Sequence, residues 1–129
     1  MKTWLRVALI IGIAYAVESY LFALPGGSIQ FWRLVTWAVS GVLLAIHIGY
    51  ERFRLDSRPL IAAWHVGVGG AIGGFGLAVT ANVHTLASST RHPQQNMLLA
   101  SLAIWPFVTG IPSFLVALGV SAGLARSRK

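Results

Sequence analysis

Residues 60–83 read LIAAWHVGVGGAIGGFGLAVTANV, 24 consecutive positions without an Asp, Glu, Lys or Arg. A helix rising 1.5 Å per residue needs about 20 apolar residues to cross roughly 30 Å of hydrocarbon, so this stretch has the length of a membrane span. Pro59 stands immediately before it, where the first helical turn tolerates a residue without an N–H. Inside lie Gly67, Gly69, Gly70, Gly73, Gly74 and Gly76. They keep no G-x-G-x-x-G register and are followed by no Walker lysine, which sets a phosphate loop aside. Gly69 with Gly73, and Gly70 with Gly74, are spaced i, i+4, the pattern that lets a second helix backbone approach closely in a membrane. The expectation is tight packing by this helix, within a bundle or across an oligomer.

Three more runs of similar length flank it. The first extends from about Trp4 to Leu24 and stops at the breakers Pro25-Gly26-Gly27. A second follows Arg33 and continues to about Tyr50. Between it and the glycine-rich run, residues 51–59 (ERFRLDSRP) carry two of the three acids and three of the ten basic residues, and read as a solvated loop. Residues 84–96, ending His92-Pro93-Gln94-Gln95-Asn96, are polar enough to leave the bilayer. The last run goes from Met97 to about Leu124 and contains Pro106 and Pro112, which remove helix hydrogen bonds and should bend it, as membrane helices tolerate. Lys2, Arg6 and the sequence Ala14-Tyr15-Ala16 imitate a secretory leader, but the apolar run passes the A-x-A site, and an uncleaved helix is expected. The fold class is therefore all-α, with four transmembrane helices at about 4–24, 33–50, 60–83 and 97–124 forming one domain. Short loops predict an up-down antiparallel bundle.

Composition agrees. The chain has 129 residues, 56% hydrophobic and 10% charged, against roughly 25% charged residues in a soluble domain. It contains no cysteine, which excludes disulfides, thiol redox chemistry, thiolate zinc sites and c-type haem attachment. The formal charge of +7 is unevenly placed. Lys2, Arg6, Arg52, Arg54, Arg58, Arg126, Arg128 and Lys129 fall on one side of the expected topology, and only Arg33 and Arg91 on the other. Positive flanks stay in the cytoplasm, so both termini are expected there, in a bacterial-type inner membrane. Topology and attraction to anionic headgroups account for the charge, and no basic domain remains for nucleic acid.

Few residues offer chemistry. Glu18 is the one acid expected inside the hydrocarbon, where an unpaired charge costs about 2.5–3.5 kcal/mol near a helix centre. It needs a partner, for which Arg33 is the first candidate and Asn82 or His84 are alternatives, or it serves as a proton or cation site with Arg33, Thr36, Ser40 and Asn82 along the path. On helix 2, Thr36, Ser40 and His47 lie close to one line, with Arg33 and Glu51 at its ends, a stripe that should face protein. In a hairpin centred near Asp56, His47 and His65 share a depth. Two readings fit them: interfacial histidines bonded to backbone or headgroups, or axial ligands of a b-type haem. A metal site would need a third ligand, and only Glu51 is placed to supply it. His84, Arg91 and His92 suit a solvated outer loop. Trp4, Trp32, Trp37, Trp64 and Trp105 lie near helix ends or a turn inside, as interface belts do. Nucleophile, His and acid never assemble, so no enzyme is expected. The function classes left are a packing bundle, alone as a homo-oligomer or as a subunit of a larger membrane complex; a small transporter or channel using Glu18; and a haem-binding bundle.

Overall fold

A computed structural model describes residues 2–21, 28–87 and 95–127. It is all-helical: α1 covers Thr3–Leu21, α2 Ile29–Phe53, α3 Pro59–Ala87 and α4 Gln95–Arg126. Each is long and apolar enough to cross a membrane. The outer faces are apolar to a degree water would not tolerate, with Leu34 70%, Trp37 78% and Phe107 66% exposed.

The boundaries differ from the sequence reading mainly at α2. It starts at Ile29, four residues before the expected start, because Ser28 caps it: the Ser28 hydroxyl accepts from the Phe31 N–H at 3.4 Å. At its other end α2 runs on through Glu51 and Arg52, placed above in a solvated loop. That expectation is corrected, since both residues are helical and buried. The charge density of residues 51–59 misled the reading. The helix closes with the Arg54 and Leu55 N–H groups donating to the Tyr50 carbonyl, and Asp56 turns the chain at φ 46°, a left-handed conformation that Asp tolerates. α4 is continuous through Pro106 and Pro112. The expected end of the first span, the Pro25-Gly26-Gly27 breaker, and the loop with Arg91 and His92 lie outside the described residues.

α3 is the hub, packed extensively against α4 and α1, with α2 lying more lightly against the other three. Its glycines divide by face. Gly69, Gly73 and Gly76 meet Ala8, Tyr15 and Ala16 of α1, while Gly67, Gly70 and Gly74 meet Phe114, Ser113 and Trp105 of α4. The approach is close enough that a Cβ added at Gly73 would stand 2.6 Å from the Tyr15 Cβ. Small side chains are thus a geometric requirement of this hub. The apolar core near one end joins three helices through Ile48, Ala63, Val66 and Ala117, with Leu44, Phe114 and Leu118 around it.

Candidate functional site

Two polar clusters are buried in this apolar frame, both touching the α2 stripe. The first sits where α1 meets α2. Glu18 is 5% exposed, and the Ser40 hydroxyl lies 3.2 and 3.1 Å from its two carboxylate oxygens. Ser40 is doubly used, because its carbonyl accepts from the Tyr15 hydroxyl at 3.4 Å. The partner the structure gives Glu18 is therefore Ser40. Arg33 is exposed at the start of α2, and among the described residues no ion pair joins it to Glu18. Thr36 donates to the Trp32 carbonyl within its own helix at 2.9 Å. Asn82 lies elsewhere: its amide donates to the carbonyls of Ala78 and Leu98, each at 2.8 Å, and to the Ser101 hydroxyl at 3.3 Å. It ties α3 to α4. Of the five residues grouped as an ion path, the structure brings Glu18 and Ser40 together and leaves Arg33, Thr36 and Asn82 apart from that pair.

The second cluster gathers the start of α1, the end of α2 and the start of α3. The α2 stripe continues past His47 by one turn to Glu51, which puts a fully buried carboxylate against α3. Glu51 Oε2 accepts from the Ser57 hydroxyl at 2.7 Å and lies 2.9 Å from His65 Nδ1. A carboxylate has no proton to give, so with Glu51 ionised His65 Nδ1–H is the donor. The His65 ring stacks on the Trp4 indole, centroids 4.2 Å apart and 3° from parallel. His47, one turn deeper on α2, is buried over Gly69: a Cβ added there would lie 2.8 Å from His47 Cε1. Arg52 closes the turn by donating to the Ser57 carbonyl. Among the described residues, His47 Nε2, Glu51 Oε1, Arg52 Nε and Ser121 Oγ are buried without a hydrogen-bond partner.

His65 meets Glu51 while His47 lies over Gly69, one turn further along both helices, so the equal depth expected for His47 and His65 is corrected: it is Glu51 that stands level with His65. The sequence reading missed that Glu51 is the centre of this cluster and that Trp4 and Ser57 belong to it. The signal available was the stripe itself, which reaches Glu51 with the same spacing as Thr36 to Ser40. Among the described residues no group of three His, Cys, Asp or Glu side chains converges to hold a metal ion. His84 has no described side chain.

Four helices long and apolar enough to cross a membrane are compatible with a small helical membrane protein. Set against protein-family models, curated proteins and solved structures, the chain matches none of them.

Proposed function

We propose that this chain is a small multi-pass protein of a bacterial-type inner membrane, with both termini in the cytoplasm, that acts through helix packing as a homo-oligomer or as a subunit of a larger membrane complex. The topology is supported by register. Along α1 and α3 the pairs Ala8–Gly69, Gly12–Ile72 and Ala16–Gly76 rise together, whereas along α3 and α4 the pairs Gly67–Phe114, Gly70–Ser113 and Gly74–Trp105 run oppositely. Such pairing is what an up-down antiparallel bundle requires. With it the eight-to-two distribution of basic residues points to cytoplasmic ends.

The observation that carries the packing role is the contrast between two sets of glycines. All six in residues 67–76 are filled by intramolecular neighbours, while Gly119 and Gly123 of α4, spaced i, i+4 beside exposed Val116 and Val120, have nothing within 4 Å of an added Cβ. Small residues left open on a lipid-facing helix suit contact with another helix. The test is the detergent-corrected mass and subunit content of the wild type and of Gly119→Leu/Gly123→Leu. A mass above one chain, or a co-purifying subunit, lost in the variant, supports the role. A wild type that runs as one chain without a companion overturns it. The reading is non-enzymatic.

A second reading is favoured by Glu18, a buried carboxylate with a hydroxyl as its hydrogen-bond partner, which is a suitable proton or cation site in a small transporter or channel. Glu18→Gln keeps the bond to Ser40 and removes the charge. Proton flux into liposomes that is unchanged in the folded variant excludes this reading.

A further inference from the structure

The second cluster contains features that helix packing does not need. Glu51 is fully buried, and the one ionic partner within 4.0 Å of it among the described residues is an imidazole, which is charged only when protonated. A buried anion without a counter-charge is strongly disfavoured. His65 differs from Glu51 in access, since its side chain keeps 15% of its exposure while the Glu51 side chain keeps none. Its other ring nitrogen, Nε2, makes no hydrogen bond among the described residues and can take a proton while Nδ1 is engaged with Glu51. Trp4 then presents an indole face to the resulting imidazolium.

We propose that Glu51, His65 and Trp4 form a proton-binding site at the Lys2/Arg126 end of the bundle, with His65 taking an exchangeable proton from water. The step balances simply. With Glu51 ionised and His65 neutral on Nδ1–H, a proton from hydronium or a buffer acid adds to Nε2, and the pair becomes imidazolium and carboxylate with no net charge. Glu51 supplies the compensating charge, Ser57 fixes the carboxylate by its 2.7 Å hydrogen bond, and the indole stacks on the cation. Among the described residues, the second Glu51 oxygen, Oε1, and His47 Nε2 are buried and unpartnered.

The other charged groups around it are accounted for. Lys2, ahead of α1, and Arg6 on it are exposed; on α2, Arg52 is committed to the Ser57 carbonyl; Arg54 and Asp56 in the turn, Arg58 ahead of α3 and Arg126 on α4 are exposed. None of these basic groups forms an ion pair with Glu51 among the described residues. His65 is the group whose charge state decides whether that carboxylate is paired.

The stack supplies its own readout, because an imidazolium quenches an indole it touches far more than neutral imidazole does. In a variant with Trp32, Trp37, Trp64 and Trp105 changed to Phe, Trp4 emission is followed in liposomes from about pH 9 to about pH 4, the range that brackets histidine. The expected result is a single transition with severalfold lower emission on the acid side. The transition disappears in His65→Phe. In Glu51→Gln, which removes the compensating charge and keeps the shape, the transition no longer coincides with that of the wild type. Emission that is flat with pH, or a transition that survives His65→Phe unchanged, overturns the proposal. If the multiple-Phe variant does not fold, 15N shifts of histidine-labelled wild type, assigned with His65→Phe, read the same protonation. A His65 signal that does not move with pH overturns it equally.

Discussion

Gly74→Ala adds one methyl at the tightest point of the α3–α4 contact. The new Cβ would stand 2.7 Å from the Trp105 carbonyl oxygen and 3.0 Å from its carbon, with the Thr109 hydroxyl nearer still. The approach to the Trp105 oxygen falls short of ordinary contact by about 0.7 Å. The Trp105 carbonyl is backbone, so it moves only with the helix. Thr109 is held as well, donating to the Gly70 carbonyl at 2.8 Å and to the Trp105 carbonyl at 2.9 Å. Overpacking of this kind costs about 1–3 kcal/mol. Loss of the interhelical Thr109–Gly70 bond adds about 0.6 kcal/mol or more. Alanine returns at most about 1 kcal/mol through its helix propensity. The net expectation is a destabilisation of about 1–3 kcal/mol. It is measured by reversible unfolding in mixed micelles, titrating the mole fraction of a denaturing detergent and following tryptophan emission. Gly41→Ala is the control, because a Cβ there meets nothing within 4 Å, and its expected change is neutral or stabilising by up to about 1 kcal/mol. If Gly74→Ala unfolds at the same detergent fraction as Gly41→Ala, the α3–α4 contact is not the close one described, and the hub role of α3 fails with it.

Other expectations follow from the same contacts. Asn82→Leu removes the donor to the Leu98 carbonyl and the Ser101 hydroxyl across α3 and α4, and should lower stability in the same titration by about 0.6–2 kcal/mol. Ser121→Ala deletes a buried hydroxyl without a partner, so it should be neutral or stabilising by up to about 1 kcal/mol; a loss as large as that of Asn82→Leu would show that Ser121 is bonded after all. Because the chain has no cysteine, single-cysteine variants need no background removal. With cytoplasmic termini, Ser28→Cys reacts with an impermeant maleimide in intact cells, whereas Thr3→Cys and Ser127→Cys react only after permeabilisation; the reverse pattern inverts the topology. Finally, His65 is engaged with Glu51 and Trp4, and His47 packs on Gly69, so protein from haem-replete cells should show no Soret band. A band that vanishes in both His47→Ala and His65→Ala would favour the haem reading.

The four helices were legible because a membrane span is a property of length and polarity along the chain, and residues 60–83 declare one without reference to any neighbour. The small-residue spacing of α3 was equally local. Its i, i+4 glycines announced close packing because helical periodicity converts spacing into a shared face. The stripe on α2 was legible for the same reason. Where charge density competed with periodicity, at Glu51 and Arg52, the local reading went to the loop and the structure continues the helix. A charged residue looks solvated until its partner is known, and the partners of Glu51 are Ser57 and His65, 6 and 14 positions away.

Which glycine faces which helix was settled by the rotation of α3 about its own axis and by the order of helices around it, neither of which a one-dimensional pattern contains. The partner of Glu18 depends on the same quantities. Arg33 had the opposite charge, a short connection and a place on the same stripe, but it stands two turns from Ser40 along α2, and the register of α1 against α2 sets Glu18 at Ser40. Interactions within a helix are set by spacing alone. Interactions between helices are set by rotation, register and crossing, which arise only when all the apolar and small-residue faces are satisfied together.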